Sequence, residues 1–236
     1  MYCVDINEAH FEKYTPTYDP FNGHEYVDLG LPSGTLWAKC NVGAETETGY
    51  GQYFQWGDMQ GYYPEQIGTS DGKKPFYEDW SDYKYGEYEE VEPDYGMTKY
   101  NVTDGKTTID PEDDAAHANM GGEWRMPSLT EYNELLNNTT MTPATKNGVN
   151  GILVTSNING NELFFPDAGS ANEGNVYPGF GDVSLWCSTR TSGTDYAWEI
   201  TGGVRFEEGQ WEIDDLHVTD NWRLYGYSVR GVIKCS

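Results

Sequence analysis

Thirty-nine acidic residues, four histidines and four cysteines are the groups in this chain that could do chemistry, and their spacing narrows what that chemistry can be. His10, His24, His117 and His217 form no H-E-x-x-H and no i, i+4 pair, so a helical zinc site has no support. Cys3, Cys40, Cys187 and Cys235 are scattered without a C-x-x-C, which argues against a zinc ribbon or a redox motif. Isolated buried thiols are expected, with a Cys40–Cys235 disulfide as the alternative. There is no G-x-S-x-G elbow, because "GYSVRG" around Ser228 fails the spacing, and no phosphate cradle. A glycosidase pair of carboxylates stands about 5–9 Å apart in space, a separation that sequence does not display, so a glycoside or ester hydrolase stays as an alternative. Asp214, Asp215, Asp220 and Asn221 offer hard oxygen ligands, which keeps a calcium-dependent glycan-binding lectin as a second alternative, although no calcium-loop spacing accompanies them. Otherwise no cofactor and no catalytic residue is expected.

Contact chemistry has stronger signals. Within 184–236, framework-like residues such as Trp186, Ser188, Gly226 and Arg230 alternate with a varied set of rings and polar tips. That set is Arg190, Thr194, Asp195, Tyr196, Arg205, Glu207, Trp211, Asp214, Asp215, His217, Asp220, Asn221, Trp222, Arg223, Tyr225 and Tyr227. Exposed Tyr, Trp and Arg give large contact area at modest entropic cost, so these residues form the candidate ligand-binding face. Trp186, and with it Trp198, is expected in the core instead; Trp211, Trp222 and Tyr225 stand among Asp, Asn and Arg, where exposure is expected.

Such a face needs elements to hold it. "GGEWRMPSLTEYNELL" places an S-x-x-E capping box at Ser128 and Glu131, after Pro127, ahead of an apolar stripe of Leu129, Tyr132, Leu135 and Leu136. Trp124 and Met126 alternate with Arg125 in an extended approach, which puts Trp124 in the core and Arg125 beside an acid. "TTIDPEDDAAHANMGG" reads as one helix with Asp110 as N-cap, Pro111 at its first position, acids Glu112, Asp113 and Asp114 at its positive end and Gly121 as its stop. Those acids compensate the helix dipole; metal ligation is the alternative.

Strands are expected on both sides of the turn Pro32-Ser33-Gly34, in "YGQYFQWGD", in a hairpin joining Ile152–Val154 to Leu163–Phe165, and as short pieces in "SLWCSTR", "YAWEITGGVRFEEGQWEI" and "GYSVRGVIKC". Residues 1–22 read as an N-terminal extension, 23–236 as the main domain, and 57–100 as an acidic Tyr- and Gly-rich insertion, either functional or ornamental.

Composition bounds the partners. A formal net charge of -25 makes polyanionic nucleic acid and anionic lipid poor partners. No stretch has the roughly 18 apolar residues of a membrane-spanning helix, and the first residues lack a signal peptide's basic and apolar regions. The 37% hydrophobic content suffices for a core, and many aromatics and glycines with short apolar runs favour strands and turns.

"EYVDLGLPSGTLWAKCNVGA", "YGQYFQWGD", "DGKTTIDPEDDAAHANMGGEWRMPSLTEYNELL", "SLWCSTR" and "YGYSVRGV" occur in an order that resembles the major paralogous domain family of Bacteroidetes and Fibrobacter, over about 22–236. That family is similar to the formylglycine-generating-enzyme branch of the C-type-lectin fold, whose "WRLPTEAEWE"-like motif "WRMPSLTEYNE" echoes. The resemblance implies an α+β domain with two helices, a small antiparallel sheet joining the chain's ends, and an irregular, strand-rich C-terminal half that displays a ligand. Gly231 stands where the family's "SVRPV" ending has proline, and Cys187 where serine is common. The closely spaced, copper-dependent cysteine pair of that enzyme has no counterpart, so its activity is not expected. The layout of 184–236 also resembles the variable proteins of diversity-generating retroelements. From these resemblances follows the expectation of a non-enzymatic receptor-binding or adhesin-like module for a surface protein or glycan, at a cell surface, secreted or on a phage particle.

Overall fold

The computed structural model describes residues 19–76, 80–87, 94, 96–179, 181–207 and 210–234, with the backbone alone for 204–207 and 210–215. In chain order the described strands are β1 (Tyr26–Val27), β2 (Thr35–Asn41), β3 (Thr139–Lys146), β4 (Val149–Ser156), β5 (Glu162–Pro166), β6 (Ala171–Asn172), β7 (Asn175–Val176), β8 (Asp182–Arg190), β9 (Tyr196–Glu207), β10 (Gln210–Trp222) and β11 (Arg230–Lys234). Two α-helices, α1 (Ala115–Met120) and α2 (Leu129–Asn138), lie between β2 and β3. The architecture is α+β, with antiparallel sheets ordered β1-β2-β11, β10-β9-β8, β3-β4-β5 and β6-β7.

Pleating divides the interior into two main clusters. On β2, Leu36 and Ala38 enter one cluster with Trp56, Trp124 and Trp186, while Trp37 between them enters the other with Tyr132, Leu135 and Ile152. Neighbours on β11 split the same way, Ile233 to the first and Val232 to the second. A strand buried on both faces needs continuous apolar character, and "TLWA" and "VI" supply it.

The capping box forms as expected: Ser128 Oγ accepts from Glu131 N at 3.3 Å and Ser128 N donates to Glu131 Oε2 at 2.9 Å. Helix α2 buries Tyr132 and Leu135, with the Tyr132 ring 5.4 Å from that of Trp37. Trp124 is fully buried, and Arg125 pairs with Glu131 through Nη2 at 2.6 Å.

The first helix departs from expectation. Pro111–Asp113 is a separate 3-10 turn, and the α-helix begins only after Asp114, whose carboxylate accepts from His117 N at 3.0 Å. Asp114 is extended, at ψ 114°, so it caps instead of continuing the turn. The glycine pair after α1 has a steric cause. Gly122 has φ +58°, and a Cβ there would lie 2.2 Å from the carbonyl oxygen of Pro20. Gly231 lies where α1 packs on β11, and a Cβ there would meet Met120 Sδ at 2.6 Å, so the Met120 side chain would have to shift.

Two further expectations are corrected, one strand was not foreseen, and the described thiols are free. "YGQYFQWGD" makes only isolated bridges, Tyr53 to Tyr62 and Phe54 to Tyr227. Strand β3, with Pro143 inside it, was not legible; it joins β4 through a turn at Asn147 and Gly148, both at positive φ. The late strands are long, β9 with 12 residues and β10 with 13, because one hairpin register runs from Tyr196↔Trp222 to Glu207↔Gln210 around a bulge between Asp214 and His217. Cys40 and Cys187 carry free thiols, and Cys235 lies outside the described residues. Of the expected N-terminal extension, 1–18 is outside the described residues, while Phe21 packs edge-on against Trp124.

Candidate functional site

The late hairpin and the turn that follows it, 217–227, interleave anchored and presented side chains. Arg223, Leu224 and Tyr227 are buried; Asn221, Trp222 and Tyr225 are half-buried; His217 and Asp220 are exposed. Rings run from Tyr196 to Trp222 (6.4 Å), on to Tyr225 (5.7 Å) and Tyr227 (6.3 Å), ending against Trp186 (4.5 Å). Alternation along β10 sends Asn221 to the face that carries Glu199 and Thr201, and sends Trp222 and Asp220 to the opposite face with Trp198. Tyr225, in the turn, touches rings of both sets.

Four residues expected on the ligand face are interior instead. Arg223 is 0% exposed and sits over the rings of Trp56 (4.6 Å) and Tyr83 (5.2 Å). Its guanidinium donates to Tyr83 Oη (3.0 Å) and to the carbonyls of Lys99 (3.1 Å), Tyr100 (3.2 Å) and Thr194 (2.5 Å). Arg190 likewise donates to the carbonyls of Lys106, Thr191 and Asn101. Thr194 gives its hydroxyl to Asp94 O, and Tyr227 packs at a tilt against Trp186. The physical reason is shared: irregular segments leave carbonyls without ladder partners, and a planar group with five N–H donors satisfies several at once. Arg230 performs the same task on Ala38, Lys39 and Phe164, and burial draws its pKa down to about 10.

Of the remaining expected residues, Asp195 and Tyr196 are half-buried at the base of β9, and the side chains of Arg205, Glu207, Trp211, Asp214 and Asp215 lie outside the description. The calcium set is not brought together by Asp220 and Asn221, which point to opposite faces, and Asn221 Oδ1 already accepts from Trp222 N at 3.0 Å. Trp186 is core as expected, and Trp198 is half-buried against the second cluster.

Glu199 is the residue that spacing did not single out. It lies mid-strand on β9, 2% exposed, with Oε1 accepting from Asn221 Nδ2 at 3.3 Å and Oε2 without a hydrogen-bond partner. Burial, then the charges of Asp220 and Asp182, raise its pKa to about 8 against the pull of Asn221, so the carboxyl is mainly neutral at pH 7. "YAWEI" alternates normally, with Glu199 on the inner side; the acid at an inward position was the available signal.

A cavity of about 680 Å³ opens at the helix junction, walled by Ile109, Trp124 and Met126. Three of its carboxylates are occupied by the fold: Asp114 by Met126 N and His117 N, Glu131 by Arg125 and Ser128, Glu134 by Ser33. Asp113 is similarly taken, by Lys84 (2.8 Å), Lys99 (2.5 Å) and Tyr100 (2.6 Å). Against these saturated acids, the late sheet and its turn form the site with polar capacity left. Compared with protein-family models, curated proteins and solved structures, the chain matches none.

Proposed function

We propose that this chain is a non-enzymatic ligand-recognition module of C-type-lectin-like architecture, whose late hairpin and turn bind a surface protein or glycan. What supports the architecture is the pairing of early β2 with late β11 beside two helices and a strand-rich second half. What carries the recognition reading is the interleaving within 221–227. Arg223, Leu224 and Tyr227 fix the backbone from inside, while Asn221, Trp222 and Tyr225 are held part-exposed in a connected row of rings. Rings immobilised before contact lose little entropy on binding, which is how interface hot spots gain affinity.

The test is a screen of surface proteins and glycans, repeated with Tyr225→Ala. Loss of about tenfold or more in affinity, with the folded near-UV spectrum retained, is expected. Ligands bound equally well by the variant would refute the assignment. A retroelement origin of the face predicts a near-repeat of its coding segment, differing at adenines, beside a reverse transcriptase gene.

A further inference from the structure

We infer that the Glu199 face of the late sheet receives a basic side chain from a protein partner, with the Glu199 carboxylate as counter-charge. This rests on the recognition reading and gives that face a ligand chemistry.

The argument starts from an imbalance. Glu199 is almost fully buried, and one of its oxygens has no hydrogen-bond partner. Buried carboxylates are ordinarily matched by a cation or by several donors; Glu199 has one amide, at 3.3 Å. On its face of the sheet stand Asp182 from β8 and Asn221 from β10, with exposed His217 farther along, and the Tyr227 hydroxyl of the turn feels its charge; Asp220 of β10 and Tyr132 of α2 act on it from the opposite face. Among these described groups there is no lysine or arginine. Asp182 and Asp220, both exposed, add negative potential instead of relieving it.

Thr201, Thr219 and Asn221 share its face of the sheet and are each half-buried, so solvent reaches the rim though not the carboxyl itself. A cation at that rim does not need to touch Glu199, because charges several ångströms apart interact strongly where the intervening medium is protein and not water. Half-buried Tyr225, packed on Tyr227, offers a ring to which ammonium and guanidinium groups are attracted. The net charge of -25 steers basic partners toward the molecule as a whole, and the uncompensated acid gives one place on it a reason to hold them. A saccharide, in contrast, would use the neutral carboxyl as a donor to a hydroxyl oxygen.

The two chemistries differ in their proton balance. A bound cation favours the ionised carboxyl, so binding releases the Glu199 proton to solvent and strengthens as pH rises. Binding through the neutral acid weakens over the same range.

The experiment uses the whole chain, isotope-labelled, titrated in about 0.15 M salt with a short Gly/Ser peptide carrying one lysine, its norleucine counterpart, and a panel of neutral saccharides. Signals of 217–227 are followed. The lysine peptide is expected to shift them, binding at least about threefold more tightly at about pH 9 than at about pH 6, with the norleucine peptide inert. Glu199→Gln should weaken lysine-peptide binding by about tenfold at the higher pH and flatten its pH dependence, while Glu25→Gln, at a distant acid paired with Lys39, changes neither. Lysine-peptide binding untouched by Glu199→Gln, or weakening as pH rises, overturns the inference. Saccharides that shift the same signals while the lysine peptide does not would also overturn it and leave the recognition reading standing. Ligands found in the screen that map away from 217–227 would remove both.

Discussion

Arg223 holds together segments that have no ladder of their own. Replacing it with alanine strands the carbonyls of Lys99, Tyr100 and Thr194 in a ring-lined interior, and each orphaned group costs about 1–3 kcal/mol. Arg223→Ala should therefore destabilise by roughly 3–5 kcal/mol in urea titration, and Arg223→Lys should recover only part, since an ammonium has three donors and no fork. Two carboxyls give opposite pH signatures. Glu131 is pushed up by burial but held down to about 2 by Arg125 and Ser128, so it contributes stability above its unfolded pKa that is lost as pH falls from about 4.5 toward 2. Glu131→Gln should remove about 1–2 kcal/mol at neutral pH and blunt acid unfolding. Glu199, raised to about 8, behaves in reverse: its neutral form fits the fold, and stability drains away as pH climbs from about 4.5 through 8. Glu199→Gln should raise the melting temperature at pH 8–9 by a few degrees and leave it near the parent value at pH 4–5, as a calorimetric pH series would show.

At the scale of elements, Ser128→Ala tests the start of α2. It removes the acceptor for Glu131 N and should cost about 1 kcal/mol in the same titration. That helix was legible because its cap and stripe are local facts of the sequence. Helix α1 was misread by one turn, because Asp110 and Asp114 are both plausible caps and only the contact between Asp114 and Met126 N, made 12 residues away, decides between them. Strand β3 was hidden by Pro143, although Asn147-Gly148 was a hairpin signal in plain view. In the candidate site, Trp222 and Tyr225, expected to be exposed from their polar neighbours, are half-buried among other rings. The burial of Arg190 and Arg223 could not be read locally, since it depends on carbonyls 89 and 123 positions distant in the chain.

For the whole molecule, the stretch expected as an insertion is tied into the core over its described parts. Phe76, Tyr83 and Met97 are buried, and Tyr83 donates its hydroxyl to Trp56 O at 2.5 Å. The tie to α1's approach is ionic: burial raises the Asp113 carboxyl's pKa, but hydrogen bonds from Lys84, Lys99, Tyr100 and Tyr85 outweigh this and keep it well below the usual carboxylate range. Asp113→Asn should loosen 80–87 and 96–101 first, seen as faster amide exchange there with little change at β2 and β11.

The pairing of β2 with β11, which sets Ala38 and Arg230 together across 192 positions, has a consequence for biosynthesis. On the ribosome, the segment holding Trp37 can find its closing neighbour only after the long stretch between them has been translated. Its greasy surface must wait, uncovered, through that interval. Nascent chains halted before β11 should thus be sticky and protease-sensitive, with protection arriving late and all at once.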